Sequence, residues 1–384
     1  MTLVAPSTWL AAPWSAAEGE GLMTAIQPVA GAPGIHRLIA ALRGEKTDRV
    51  PHFEILIEDR HVERLLGRKA GNTLGVGGDP AKGAAAGEGA RPMYPWDYIE
   101  LCQIIGQDAI ALEALWTPLK QVQSDGTVGL ITDRSIKTRA DVKRIIWPGE
   151  SEIEERLQYV QEYVTAAKGT GLGVIFLCGC AFQTLYEYVV GLTDCMIMTM
   201  EDPDLVEELI SRSADYFAAL ARRVVQSGVD IFFAADDFAF KTGLFVRPQI
   251  FEKLWRRHYE RILAPAREAG IPIIFHSDGK IDDAIEMLLE MGVDGITPMD
   301  PSGIDYRDYK KRYGDCLTLF GNIDITWPLV QGTPADVERD VREHADILKP
   351  GGRWVAGSSH SIVNYIPQEN FITMINAFHE YGTY

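Results

Sequence analysis

From residue 50 onward, short apolar runs alternate eight times with longer stretches of helical periodicity. The runs fall at residues 50–57, 108–115, 173–176, 229–235, 272–276, 295–298, 317–321 and 354–358. They are nearly continuous in apolar character, as strands covered on both faces must be. Between them, 203–226 places apolar residues at helical spacing behind an Asp202-Pro203 start. Stretches 248–268, 281–291, 334–348 and 367–379 follow the same pattern. Strand alternating with helix eight times predicts a single α/β domain, a closed (β/α)8 TIM barrel. A doubly wound open sheet is the structural alternative, and eight units favour closure.

Three segments depart from the alternation. Residues 1–35 form an Ala/Pro/Gly-rich N-terminal extension expected to wrap the barrel, which then occupies 36–384. Residues 70–92 are Gly/Ala-rich with little to bury and read as a mobile loop. In 119–133 a Ser-Asp-Gly turn lies between alternating runs, which predicts a β-hairpin inserted after the second strand.

Charge excludes some partners. Lys plus Arg number 37 and Asp plus Glu 54, a net charge of −17. Such a surface repels phosphate backbones and anionic lipids, so neither nucleic acid nor membrane is expected. The sequence has no apolar run long enough for a transmembrane helix. The N-terminus lacks the basic region of a signal peptide. The five cysteines show no framework spacing and read as reduced thiols, so a cytoplasmic enzyme is expected.

In a barrel, the C-terminal strand ends face the active site. The first run, VPHFEILIE, embeds Glu54, and the second, DAIALEALW, embeds Glu113. The fourth ends in Asp236-Asp237, the fifth in His276-Ser277-Asp278-Gly279, and the eighth leads to Ser358-Ser359-His360. Buried carboxylates are costly without partners or a task. Internal pairing explains any one of them, but a set on one face points to a site. Adjacent residues on a strand face opposite ways, so one of Asp236 and Asp237 is expected to enter the site. His276 and Asp278 can point together only if the strand has turned, which Gly279 would permit. They could then ligate one metal, or Asp278 could orient His276 as an acid/base. Catalytic candidates are therefore His276, Asp278, Asp237, Asp236, Glu54 and His360. Phe53, Glu113, Trp116, Phe238, Phe240 and Lys241 are candidate substrate contacts, although plain packing also explains such aromatics. The Cys178-Gly179-Cys180 pair, without nearby ligands, reads as small buried residues.

The segments LIAALRGEKTDRVPHFEILIE, IIFHSDGKIDDAIEMLLEMGVDGITPMDP, LFGNIDITWPLVQGTPADVERDV and GGRWVAGSSHSIVNYIPQENFITMINAF, in that order, resemble the uroporphyrinogen-decarboxylase-like superfamily over about residues 35–384. True decarboxylases of that superfamily carry an Arg-rich substrate-gripping motif after the first strand. Here the matching stretch is EILIEDRHVERLLG, with acidic residues where the arginines would be. His360 does match the superfamily's C-terminal histidine, and Glu113 lies near its pyrrole-binding aspartate. The methylthiol-forming branch binds zinc through His-x-Cys and a distant Cys. His276 matches the first of these, Asp278 replaces the second, and no Cys stands in 357–359. That leaves a harder N/O metal site, zinc included, or no metal at all.

The resemblance thus implies a corrinoid-dependent methyltransferase of the O-demethylating kind. It would pass methyl from a methoxylated, aromatic donor to the Co(I) corrinoid of a partner protein, since the chain has no D-x-H-x-x-G cobalamin segment of its own. Acidic patches at the mouth could dock that partner, Lys241 or Arg247 could meet a donor carboxylate, and the family expectation is a homodimer. A decarboxylase or lyase acting on a smaller acid is the alternative.

Overall fold

The computed structural model of the chain describes residues 25–29, 31–74, 93–114, 120–122, 128–130, 136–179 and 181–384. Its centre is a seven-stranded parallel sheet. The strands are β1 (Ala109–Ala114), β2 (Gly173–Gly179), β3 (Ile231–Ala235), β4 (Ile273–His276), β5 (Gly295–Thr297), β6 (Thr318–Phe320) and β7 (Trp354–Val355), paired in chain order. Helices Glu150–Ala167, Pro203–Gln226, Pro248–Glu268, Tyr306–Tyr313, Pro334–Leu348 and Gln368–Tyr381 fall between or after the strands. The architecture is α/β and TIM-barrel-like. Among the described residues, no helix is long and apolar enough to cross a membrane.

The predicted first strand differs from expectation. Residues 50–57 form no continuous strand and make isolated parallel bridges instead, His52 to Ala356 and Ile57 to Ile362. Pro51 has no N–H to give a ladder. The N–H of Glu54 turns to the Gln107 side chain at 3.1 Å. The segment nevertheless reaches both edges of the sheet. The Phe53 N–H donates to the Ala356 carbonyl beside β7, and the Asp108 N–H donates to the His52 carbonyl just before β1.

Register sorts the side chains into two layers. Ala111 pairs with Ile175, Leu177 with Phe233, and Phe233 with Ile274. These residues, with Phe53, Phe320 and Val355, form one buried cluster on the inner face. Their strand neighbours Ile110, Leu112, Val174, Phe176, Phe232 and Phe275 belong to the larger cluster shared with the helices. Period-2 alternation therefore decides which strand-end residue points inward. Helix Ile35–Arg43 closes the N-terminal end of the sheet. Leu38, Ala41 and Leu42 join the inner cluster, and Thr318 Oγ1 donates to the Ala41 carbonyl at 2.9 Å.

This helix is anchored by Asp108, which is fully buried. Its carboxylate accepts from Arg37 Nη1 at 2.6 Å, from both terminal nitrogens of Arg49, and from the N–H groups of Gly34 and His52.

Two small antiparallel units decorate the sheet. Lys120–Val122 pairs with Val128–Leu130 and with Ile145–Ile146, and the predicted hairpin's turn, 123–127, lies outside the described residues. The pair Ala239–Phe240 and Gly243–Leu244, which the sequence reading did not anticipate, stands just after β3. Of the loop expected at 70–92, residues 75–92 lie outside the described residues, as does most of the expected N-terminal extension. At the end of the extension, the Gln27 N–H donates to Asn376 Oδ1 at 2.7 Å, which lays it against the last helix.

Candidate active site

His276 is the last residue of β4, on the same face as Ile274 and in register with Ala235 and Thr297. It is buried on the inner face, with its ring 6.0 Å from that of Phe233. Beyond it the chain turns. Gly279 has φ +83°, and a Cβ there would stand 2.7 Å from the Ala239 carbonyl oxygen, so only glycine fits without displacement. The turn brings Asp278 beside His276. The loop after β7 brings His360, whose Nε2 is 3.6 Å from Asp278 Oδ2. One ligand atom from each of His276, Asp278 and His360 lies within 4.8 Å of the others. His276 Nδ1 is buried without a hydrogen-bond partner among the described residues.

The two aspartates after β3 separate as alternation requires. Asp237 faces the cluster. Its Oδ1 accepts from the Asp278 N–H at 2.8 Å and lies 3.7 Å from His276 Nε2. Asp236 points the other way and is fully buried. It accepts from the N–H groups of Phe182 and Gln183 and from the Tyr259 hydroxyl at 2.7 Å. Burial pushes its carboxyl up to about 7, against the pull of those three donors. Asp236 thus pins the start of the helix after β2 to β3. Burial also raises the Asp278 carboxyl above its ordinary value, with Asp237 adding to the rise and His276 and His360 opposing it.

Glu54 lies beneath this cluster, bonded to protein groups. It is buried, its Oε2 accepts from Ser358 Oγ at 2.5 Å and from the Ser358 N–H, and its Oε1 lies 3.1 Å from His52 Nε2. It holds the strand end that leads to His360. Glu113 shares the inward parity of Ala109 and Ala111, and burial pushes its carboxyl up to about 8. Phe53 is buried in the inner cluster, edge-on to Phe320.

Three predicted substrate contacts are placed elsewhere. Phe238 is fully buried on the helix side, against Phe251 and Phe275, because Asp237 takes the inward position beside it. Phe240 is half exposed on the hairpin and packs on Phe245. Lys241 occupies the turn of that hairpin and lines a separate cavity. Trp116 and Cys180 lie outside the described residues. His61, His258 and His344 are buried away from the cluster.

Sequence reading missed His52, Gln183 and Tyr186. His52 had a signal, since it stands two residues before Glu54 and so shares its face. Gln183, whose Nε2 lies 3.4 Å from Asp237 Oδ2, and Tyr186, whose hydroxyl is raised by burial and by the nearby aspartates, had none.

The cluster suits a divalent cation. Two imidazole nitrogens and a carboxylate oxygen are ordinary zinc donors, and three protein ligands leave a coordination position open. The set contains no thiolate and is accordingly harder than a cysteine site. Asp237 supplies the outer partner that such ligands commonly have.

Among known proteins, the chain is similar to the methylcobamide:CoM methyltransferase MtaA of Methanosarcina barkeri, at 24% identity over 198 residues. That match covers 52% of this chain and 56% of the relative, so the chain spans about half the length of this relative. It is 23% identical over 320 residues to the uroporphyrinogen decarboxylase of Sodalis glossinidius, covering 74% of this chain and 85% of that one. A methyltransferase from Methanosarcina mazei shares the fold, with a TM-score of 0.61 at 16% identity over 90% of this chain and 97% of the other. Residues 34–381 match the uroporphyrinogen decarboxylase (URO-D) family, and the chain belongs to that family.

Proposed function

We propose that this protein is a methyltransferase that demethylates a methoxylated aromatic compound and passes the methyl group to the Co(I) corrinoid of a partner protein. The observation that carries the reading is the donor set of His276, Asp278 and His360, two nitrogens and one oxygen within 4.8 Å of one another. A thiol acceptor calls for a soft, thiolate-rich site, whereas an ether oxygen is matched by a hard one. Similarity to methyltransferases that act on methylcobamide supports the corrinoid half of the reaction.

In this reading His276, Asp278 and His360 hold the cation, zinc being the expected one. When bound, such an ion supplies Lewis acidity to the methoxy oxygen as the O–CH3 bond breaks. The protein's own groups do the positioning. Asp237 fixes the Asp278 backbone and steadies His276. Glu54 and Ser358 hold the strand end ahead of His360. Burial raises the Glu113 carboxyl to about 8, which favours its protonated form, one able to donate a hydrogen bond. Phe53 and Phe233 supply an apolar floor to the inner face.

The test is anaerobic. Purified protein is mixed with Co(I) corrinoid, free or on a carrier protein, and with methoxybenzoates, methanol or methylamines. The visible spectrum is followed with and without chelator. Conversion to methyl-Co(III) with a methoxyarene, lost on chelation, is the expected result. Release of carbon dioxide from a small acid, with no methylation of cobalt from any donor, would instead establish a decarboxylase.

A further inference from the structure

Next to the loop that carries Asp278, and lined by Lys280 of that loop, lies an open cavity of about 650 Å³. Its charged lining is Lys241, Lys280 and Arg307 against Asp305, three cations to one carboxylate, on a chain whose net charge is −17. Arg307 is committed to Glu343 and stacks over the Tyr306 ring at 4.4 Å. Asp305 is committed to capping its helix through the Arg307 N–H at 2.9 Å. Lys241 and Lys280 make no ion pair or side-chain hydrogen bond among the described residues.

The cavity's walls are held in place. The Lys280 N–H donates to the Phe240 carbonyl at 2.8 Å, and the Gly279 N–H donates to Asp300 Oδ2 at 2.9 Å. A Cβ on Gly303 would stand 3.0 Å from the Lys280 nitrogen, so the two loops meet backbone to backbone. Tyr306, also in the lining, is buried, and its hydroxyl has no hydrogen-bond partner among the described residues.

We infer that this cavity is a phosphate subsite, in which Lys241 and Lys280 neutralise a phosphate group beside the loop that carries Asp278. Phosphate fits better than carboxylate. The free cations are lysines, compact point charges suited to a dianion, and the one arginine that could grip a carboxylate in bidentate fashion is already engaged. The phosphate could belong to a small phosphate ester or to the phosphodiester of a nucleotide-bearing cofactor. Both would present the same oxygens to the lysines. The inference stands apart from methyl transfer, because binding is read without turnover.

The experiment is calorimetric titration of the full chain at physiological ionic strength. The probes are inorganic phosphate, phenyl phosphate, benzoate as the carboxylate control, and the pair cobalamin and cobinamide, of which only cobalamin carries a phosphodiester. Saturable binding of at least one phosphate-bearing probe is expected. It should weaken by about tenfold for each lysine removed in K241A and K280A. The K241R/K280R variant should restore most of it, and K253A, on an outer helix, should leave it unchanged. Binding of phenyl phosphate would name an ester as the source, and preference for cobalamin over cobinamide would name the cofactor. Absence of saturable binding by every phosphate-bearing probe would overturn the inference. So would phosphate binding that persists in a folded K241A/K280A variant, or benzoate binding as tight as phenyl phosphate.

Discussion

Replacing Asp108 by alanine tests how the N-terminal helix is locked to the barrel. Asp108 accepts five hydrogen bonds, three of them from guanidinium groups on Arg37 and Arg49 that are themselves buried. In D108A, Arg37 keeps its two bonds to Asp48, at 2.6 and 2.8 Å. Arg49 keeps only the Val50 and Gly106 carbonyls and becomes an uncompensated buried charge. Breaking a buried pair from one side costs about 3–5 kcal/mol. With a urea m-value of about 3 kcal/mol/M, the unfolding midpoint should fall by roughly 1–1.7 M. E208A provides the contrast. Its partners Arg139 and Arg212 are both half exposed, and loss of such surface pairs costs about 0–1 kcal/mol each. Adding Arg49→Met to D108A should recover part of the loss, since the stranded charge is then gone. The measurement is the urea midpoint by circular dichroism. A D108A midpoint no lower than that of E208A, or no recovery on adding Arg49→Met, would refute the reasoning.

Three further outcomes follow from the site. Asp237→Ala should lower zinc affinity by about 10–100-fold in a competition titration while the fold persists, because the outer partner of His276 and Asp278 is lost; unchanged affinity would remove Asp237 from the metal shell. Gly279→Ala should destabilise the protein by more than the roughly 1–2 kcal/mol of a left-handed backbone, since its Cβ also meets two carbonyl oxygens, and thermal unfolding would show it. Glu113 makes stability pH-dependent. Its folded carboxyl is raised from 4.5 to about 8, so its contribution is fully present below about pH 4.5 and is lost as pH rises towards 8. The E113Q variant should therefore lose less stability than the native chain between pH 5 and 8. Parallel pH profiles for the two would contradict the burial argument.

Local rules made much of this protein legible. Helices 203–226, 248–268 and 334–348 begin and end where their Pro starts and apolar spacing place them. The eight apolar runs locate the seven strands and the bridging segment at 50–57, because burial on both faces demands such runs. Alternation foretold that Asp236 and Asp237 would part, and the glycine after Asp278 foretold the turn. Which aspartate faces inward was a matter of register. Phe233 and Ala235 lie on the inner face, so Asp237 follows them there and Asp236 caps a helix.

Tertiary structure alone decided the membership of the site. His360 stands 82 positions after Asp278 in the sequence, yet the curl of the parallel sheet sets the loop after β7 beside the one after β4. Glu54 was one of several candidate carboxylates for which catalysis and internal pairing were both open, and only the fold places Ser358 and His52 against it. Phe238 and Lys241 lie close in sequence to the site residues and still point away from them. A sequence records which chemical groups are available and the period at which they repeat. Which of them converge depends on long-range packing, whose contacts no local pattern encodes.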